Sequence, residues 1–346
     1  MKIKDELFGI TPQGEKVKKF TMENSRGITA SVITWGATLV SLRMPDQKGN
    51  IGEVTLGFDN LGQYLEHRFY FGATIGRFAN RIARGIFQLE GLKYQLACNE
   101  KGKHHLHGGN KGFDKVLWQG ESYGKEDAAE IKLSYLSPDG EEEYPGNLKV
   151  EVSYSLNEDN ELKIEYFAQT DKTTIVNLTN HTYWNLAGAG SGTIMQHQLT
   201  IKGDQYLPTD EDLIPTGEIR SVYDTPLDFT NPKLIGRDFP QLENGYDHCF
   251  VLTPLRNELK LAAKLYDAGS GRTMEILTTK PALQFYSGNF LSEIQGAGGL
   301  LFKKHGALCL ETEYFPNSPN EPKFPSAVLY PGKTYHHITI HRFSVQ

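Results

Sequence analysis

Three short segments of the 346-residue sequence concentrate side chains able to move protons. "LTNHTYWNL" (178–186) sets His181 between Asn180 and Asn185, with Tyr183 and Trp184 close behind it. "KHHLHGG" (103–109) ends on His107 and two glycines, and "LCLETEYFPNSPN" (308–320) carries Glu311 and Glu313. An imidazole among aromatic rings has two readings: a buried histidine bonded to neighbours such as Asn180 and Asn185, or a proton donor held beside a substrate. Glu311 and Glu313 are two apart, so on a strand they face one side. A structural carboxylate is the ordinary reading there. A functional one needs a partner acid, which His181 could supply, since a carboxylate base and an imidazole acid can shuttle protons near neutral pH.

His107 precedes Gly108-Gly109, where the backbone can bend sharply or approach a ligand, so its ring could be presented into a cleft. In "GRFANRIARGIF" (76–87), Arg84 reads as an ordinary solvated side chain. Arg81, between Asn80 and Ile82, is the candidate for a partly buried guanidinium that binds hydroxyls or carboxylates. The clusters "KHHLHGG" and "YHHITIH" (335–341) raise a metal site, with His105 and His107, or His337 and His341, sharing a strand face. Neither an HExxH motif nor paired cysteines accompany them, so no metal is expected. No phosphate-binding glycine motif is present, and nucleotide chemistry has no support.

These residues need a scaffold, and the composition favours strands. The chain has 35 Gly and 16 Pro, 38% hydrophobic residues and a net charge of −6. The acidic balance disfavours nucleic acid, and no run approaches the length of a membrane span. The N-terminus lacks an apolar signal core, and three scattered cysteines form no disulfide framework. A cytoplasmic location is expected. Alternating stretches at 29–35, 38–44, 53–58 and 336–343 read as strands. Hairpins are expected at 85–96, turning at Glu90-Gly91, around 157–160, and over 258–279, turning at Gly269 to Gly271. Residues 60–69 could hold a helical turn or two. No linker or repeat interrupts the pattern, which predicts one domain over 1–346, an antiparallel β-sandwich with chemistry carried on loops.

Six segments resemble the aldose 1-epimerase (galactose mutarotase) family: "GRFANRIARGIF", "LHGGNKGFDKVLW", "NLTNHTYWNL", "YDHCFVL", "QFYSGNF" and "LCLETEYFPNSPN". They stand in the family's order and spacing and cover the chain from near Gly36 to its end. The resemblance implies an all-β fold, a large antiparallel β-sandwich of the galactose mutarotase-like supersandwich type with an open sugar-binding groove. It implies interconversion of the α and β anomers of free hexoses such as galactose and glucose, with no cofactor. Carried over by position, Glu311 is the general base, His181 the general acid and His107 a supporting histidine that also contacts the sugar. Asn80, Arg81, Asp247 and Gln284 would bind hydroxyls. Of Tyr183 and Trp184, one would line the pocket and one pack behind it, with Tyr183 counted among the binding residues. The loop "NEKGKHHLHGG" and the pair Tyr314-Phe315 depart from the family wording and could alter the rim.

Three alternatives are weighed against this. A hexose-6-phosphate 1-epimerase needs a cationic cluster, and the matched segments offer little beyond Arg81. A non-catalytic sugar-binding module would be expected to lack Glu311 or His181. A glycoside hydrolase needs two carboxylates flanking the scissile bond, and Asp247 has another role by resemblance. Oligomeric state is left open.

Overall fold

The computed structural model describes residues 1–124, 127–254 and 257–346. Alternation of apolar and polar positions drives its longest hairpin, where Leu148–Asn157 pairs with Glu161–Thr170 around Asn160 at φ 63°. One face of each arm is buried and the other is wetter. These arms sit inside a nine-stranded sheet that runs from Gln119–Gly124 at one edge to Lys233–Leu234 at the other. The C-terminal strand Tyr335–Val345 lies near its middle, between Glu161–Thr170 and Arg272–Thr278. The five N-terminal strands form a meander, and their inner residues, Phe20, Val32 and Leu42 among them, join one core with Ile131, Val150 and Ile164 of the large sheet. Every ladder between named strands is antiparallel among the described residues. No helix there is long and apolar enough to cross a membrane.

A six-stranded sheet carries the central residues. Its order is Tyr183–Trp184, Leu308–Glu313, Ala282–Tyr286, Asp247–Val251, Gln205–Leu207 and Arg220–Ser221. Period-two geometry divides the strand Leu308–Glu313 cleanly. Leu308 and Leu310 enter the main core, and Thr312 Oγ1 meets Thr339 Oγ1 of the large sheet at 2.6 Å. Cys309, Glu311 and Glu313 therefore occupy the opposite face. Trp184 stacks over the large sheet, with its ring 5.1 Å from that of His341.

The three hairpins lie where the sequence places them: Ile86–Leu89 with Leu92–Gln95, the 157–160 hairpin, and Lys260–Tyr266 with Arg272–Thr278. The helical turn is Leu61–Glu66, capped by the Asn60 side chain. Strands at 29–35 and 38–44 appear as Thr29–Ile33 and Thr38–Pro45. The stretch 53–58 does not continue as a sheet strand, because only Glu53 belongs to Ile51–Glu53. Beyond it the backbone changes partners: Leu56 N–H donates to Tyr183 O at 3.0 Å and Asn185 N–H to Val54 O at 2.9 Å. That exchange ties the segment bearing His181 to the N-terminal sheet. Arg84 is exposed, but on a 3₁₀ turn at φ 56° rather than on a strand.

Candidate active site

Cross-strand register builds the floor of a cavity of about 210 Å³. Glu311 stands opposite Gln284, which stands opposite Cys249. In the next row Tyr183 pairs with Cys309, Cys309 with Tyr286, and Tyr286 with Asp247. Residues directly opposite on antiparallel strands share a face. Side chains as far apart in the chain as Tyr183 and Glu311, 128 positions, are thereby brought to one face. Gln284 Nε2 donates to Asp247 Oδ1 at 2.6 Å, which fixes both.

His181 does not lie inside a continuous strand. Thr179–Asn180 pairs with Thr74–Ile75, Tyr183–Trp184 pairs with Leu308 and Cys309, and His181 sits in the step between. Its backbone is held on both sides, since His181 N–H donates to Ala73 O at 2.9 Å and Gly72 N–H to His181 O at 3.0 Å. The flanking asparagines do not hold its ring. Asn180 donates to Gly72 O and to the Tyr154 hydroxyl, whereas Asn185 donates to Gly306 O and Gly192 O. The imidazole instead has Cys309 Sγ 3.5 Å from Nδ1 and Glu311 Oε1 3.6 Å from Nε2. Tyr70, His107 and Tyr183 surround it, with ring centroids 5.2–5.6 Å away.

His107 is set by backbone geometry. The residue lies at φ 50° beyond the two-residue strand His105–Leu106, so the expected common face with His105 is not formed. Gly108 follows at φ 82°, and a Cβ there would meet Gly76 O at 1.8 Å. Only glycine allows this approach. Asn80 N–H donates to His107 Nδ1 at 3.1 Å. An accepting Nδ1 leaves the neutral ring's proton on Nε2, as a donor. His104 and His105 are turned elsewhere: Arg84 N–H donates to His104 Nδ1, and His105 contacts Ala97 O and the Tyr144 hydroxyl. His337 and His341 are buried packing residues, against Tyr314 and Trp184.

Asn80 has two tasks, donating through Nδ2 to Glu313 Oε1 at 3.0 Å and accepting the Arg81 N–H at 2.9 Å. The Arg81 fork grips a carboxylate, with Nε and Nη2 donating to Glu100 at 2.8 and 2.7 Å. Glu100 was not singled out from the sequence. It reaches the pocket because its loop folds back, where Asn99 Nδ2 donates to Leu106 O and Gly109 O. Tyr70, Tyr286 and Phe290 also line the cavity without having been foreseen. Of the two candidate aromatics, Tyr183 lines the pocket and Trp184 is core.

Removal from water dominates the electrostatics, because it penalises the charged form of each group. Burial pushes Glu311 well above the carboxylate range, reinforced by Glu313 and Asp247 and opposed by Arg81. Glu313 is raised by burial to about 8, against the pull of the Asn80 hydrogen bond and of Lys280. Asp247 is also raised by burial, with Arg81 opposing. His181 is lowered to about 4 by burial, and His107 well below its ordinary value by burial and then by His181. These directions leave His181 and Glu311 one proton between them near neutrality. Such a pair can take a proton at one position and give one at another.

The floor and walls thus define a class: a β-sandwich carrying a buried imidazole–carboxylate pair in a pocket edged by amide, carboxylate and guanidinium groups. The aldose 1-epimerase family model matches residues 18–342. A curated galactose mutarotase from Bos taurus is 46% identical over 342 residues, 98% of each chain. A galactose 1-epimerase structure from Lactobacillus acidophilus superposes with a TM-score of 0.87 at 28% identity, covering 99% of both chains. An aldose epimerase homologue from C. elegans gives 0.86 at 31% identity, covering 94% of this chain and 98% of that one. The chain belongs to the aldose 1-epimerase family, whose members are isomerases.

Proposed function

We propose that the protein interconverts the α and β anomers of free hexoses, galactose and glucose included, with Glu311 as general base and His181 as general acid. The observation that carries this reading is the 3.6 Å approach of His181 Nε2 to Glu311 Oε1 inside the pocket. The pair shares one proton, which burial favours on Glu311. In the tautomer that carries it on His181, carboxylate Glu311 takes the proton of the anomeric hydroxyl while imidazolium His181 gives one to the ring oxygen, and the C1–O5 bond breaks. The open aldehyde turns about C1–C2 and closes on its other face. In closure the carboxyl of Glu311 returns its proton and neutral His181 takes one back. The pair therefore carries one proton throughout, and the roles reverse without an external donor.

The neighbours supply placement. Neutral His107 donates through Nε2, and Asp247 and Gln284 accept and donate to hydroxyls beside Glu311. Arg81 and Asn80 complete the binding set, and Tyr183 and Tyr70 wall off water. Orientation of this kind contributes much of an enzyme's advantage. A phosphorylated hexose suits the site less well. Among the described lining residues the cations are Arg68 and Arg81, and Arg81 is already gripped by Glu100. The three cysteines are free, which fits a reducing, cytoplasmic setting. Polarimetry of freshly dissolved α-D-galactose tests the reading: the protein should speed the approach to equilibrium rotation, and an unchanged rate would refute it.

A further inference from the structure

Proton transfer leaves one member of the central cluster unused. Cys309 shares the pocket face with Glu311, and its sulfur lies 3.5 Å from His181 Nδ1. One donor atom from each of His181, Cys309 and Glu311 can be chosen so that all lie within 4.8 Å of one another, and all three residues are buried. Imidazole, thiolate and carboxylate are three ligand types that zinc accepts, at bond lengths of about 2.0–2.3 Å. Those lengths put tetrahedral ligands about 3.3–3.8 Å apart, so capture requires a closure of about 1 Å. Glu311 can supply it, since its Oε2 has no hydrogen-bond partner.

We propose that His181, Cys309 and Glu311 form a binding site for a borderline-soft divalent cation, zinc above all, and that filling it inhibits the enzyme. The inhibitory half rests on the acid–base reading above, because the ion would occupy both proton carriers at once. Charge favours the complex. A divalent ion balances one thiolate and one carboxylate, so the buried site ends neutral, whereas either anion alone would be costly there. Binding sends the thiol proton and the carboxyl proton to solvent, with no change of oxidation state. The neutral imidazole of His181 already has a lone pair to offer. His181 and Glu311 both line the sugar cavity, so aldose and metal should compete.

Cobalt(II) is the probe, because a bound thiolate gives it a charge-transfer band. The wild-type protein should show that band, lose it on titration with one equivalent of zinc, and require more cobalt when galactose is saturating. Cys309→Ser should abolish the band, whereas Cys98→Ser and Cys249→Ser should keep it. Zinc should inhibit mutarotation competitively with galactose and reversibly on chelation. In Cys309→Ser that inhibition, measured against the variant's own zinc-free rate, should weaken at least tenfold. If this variant does not fold, His181→Gln serves for the cobalt titration. No band in the wild type, or a band that follows Cys98 or Cys249, would overturn the site. A Cys309-dependent band with mutarotation insensitive to zinc would keep the site and sink the acid–base assignment. Mutarotation without any cobalt band would do the reverse.

Discussion

Glu311 and Gln284 stand directly opposite each other on neighbouring antiparallel strands, and Gln284 in turn holds Asp247 at 2.6 Å. The proposed base and two proposed sugar contacts are thus one continuous patch of sheet. Their spacing is set by the ladder rather than by a mobile loop. His181 and His107 come from loops, but each is pinned through backbone groups, to Ala73 and Gly72 in one case and to Asn80 in the other.

His181→Asn should lower kcat by about 10²-fold, the scale on which a positioned acid contributes. His107→Asn should lower kcat less and raise KM, since its Nε2 is the proposed donor to the sugar and not the proposed proton carrier. Steady-state kinetics with galactose separates the two. Equal losses in kcat alone for both variants would contradict the division of roles.

Asp247→Ala should raise KM for galactose about tenfold or more, because it removes a proposed hydroxyl contact and releases Gln284 as well. Some loss of kcat is expected through misplacement of the ring. An unchanged KM would remove Asp247 from the binding set.

Tyr183 and Trp184 should separate by phenotype. Trp184 is about 1% exposed and packs on His341 and Phe343. Trp184→Ala should destabilise the fold by about 3–5 kcal/mol, as large-to-small core changes do. Tyr183→Phe should leave the melting temperature nearly unchanged and alter the kinetics. Thermal denaturation beside kinetics of both variants decides it, and the opposite pattern would reverse the assignment.

His341 offers a test in pH. Burial lowers it to about 4 from an ordinary 6.5. Between those values the unfolded chain binds a proton that the folded chain does not, so the His341 contribution falls as pH drops from 6.5 towards 4 and is flat above 6.5. The melting-temperature difference, wild type minus His341→Asn, should therefore shrink on acidification through that window. A difference constant from pH 7 to pH 4.5 would show that His341 is not held neutral.

Much of this arrangement is legible in the sequence, and the remainder has physical causes. Hairpins at 85–96 and around 157–160 announce themselves by alternation closed on turn residues. The common face of Glu311 and Glu313 follows from their spacing, and the same alternation extended one step back would have found Cys309. Glu100 could not be read this way, since its meeting with Arg81 depends on a loop folding back through Asn99. The expected shared face of His105 and His107 failed because His107 leaves the strand at φ 50°, a conformation imposed by its neighbours. Residues 53–58 read as a strand by alternation, yet the strand ends at Glu53, and Leu56 N–H and Val54 O turn to the segment around Tyr183.

The central claim is that Glu311 carries the proton from the anomeric hydroxyl, and Glu311→Gln tests it most directly. The amide keeps the shape of the side chain and cannot act as the base. The relaxation of α-D-galactose rotation, followed by polarimetry at saturating sugar, should slow by about 10²-fold or more per enzyme molecule. Galactose binding, measured separately by calorimetry, should be retained. A variant that binds galactose and still relaxes its rotation at the wild-type rate would contradict the account.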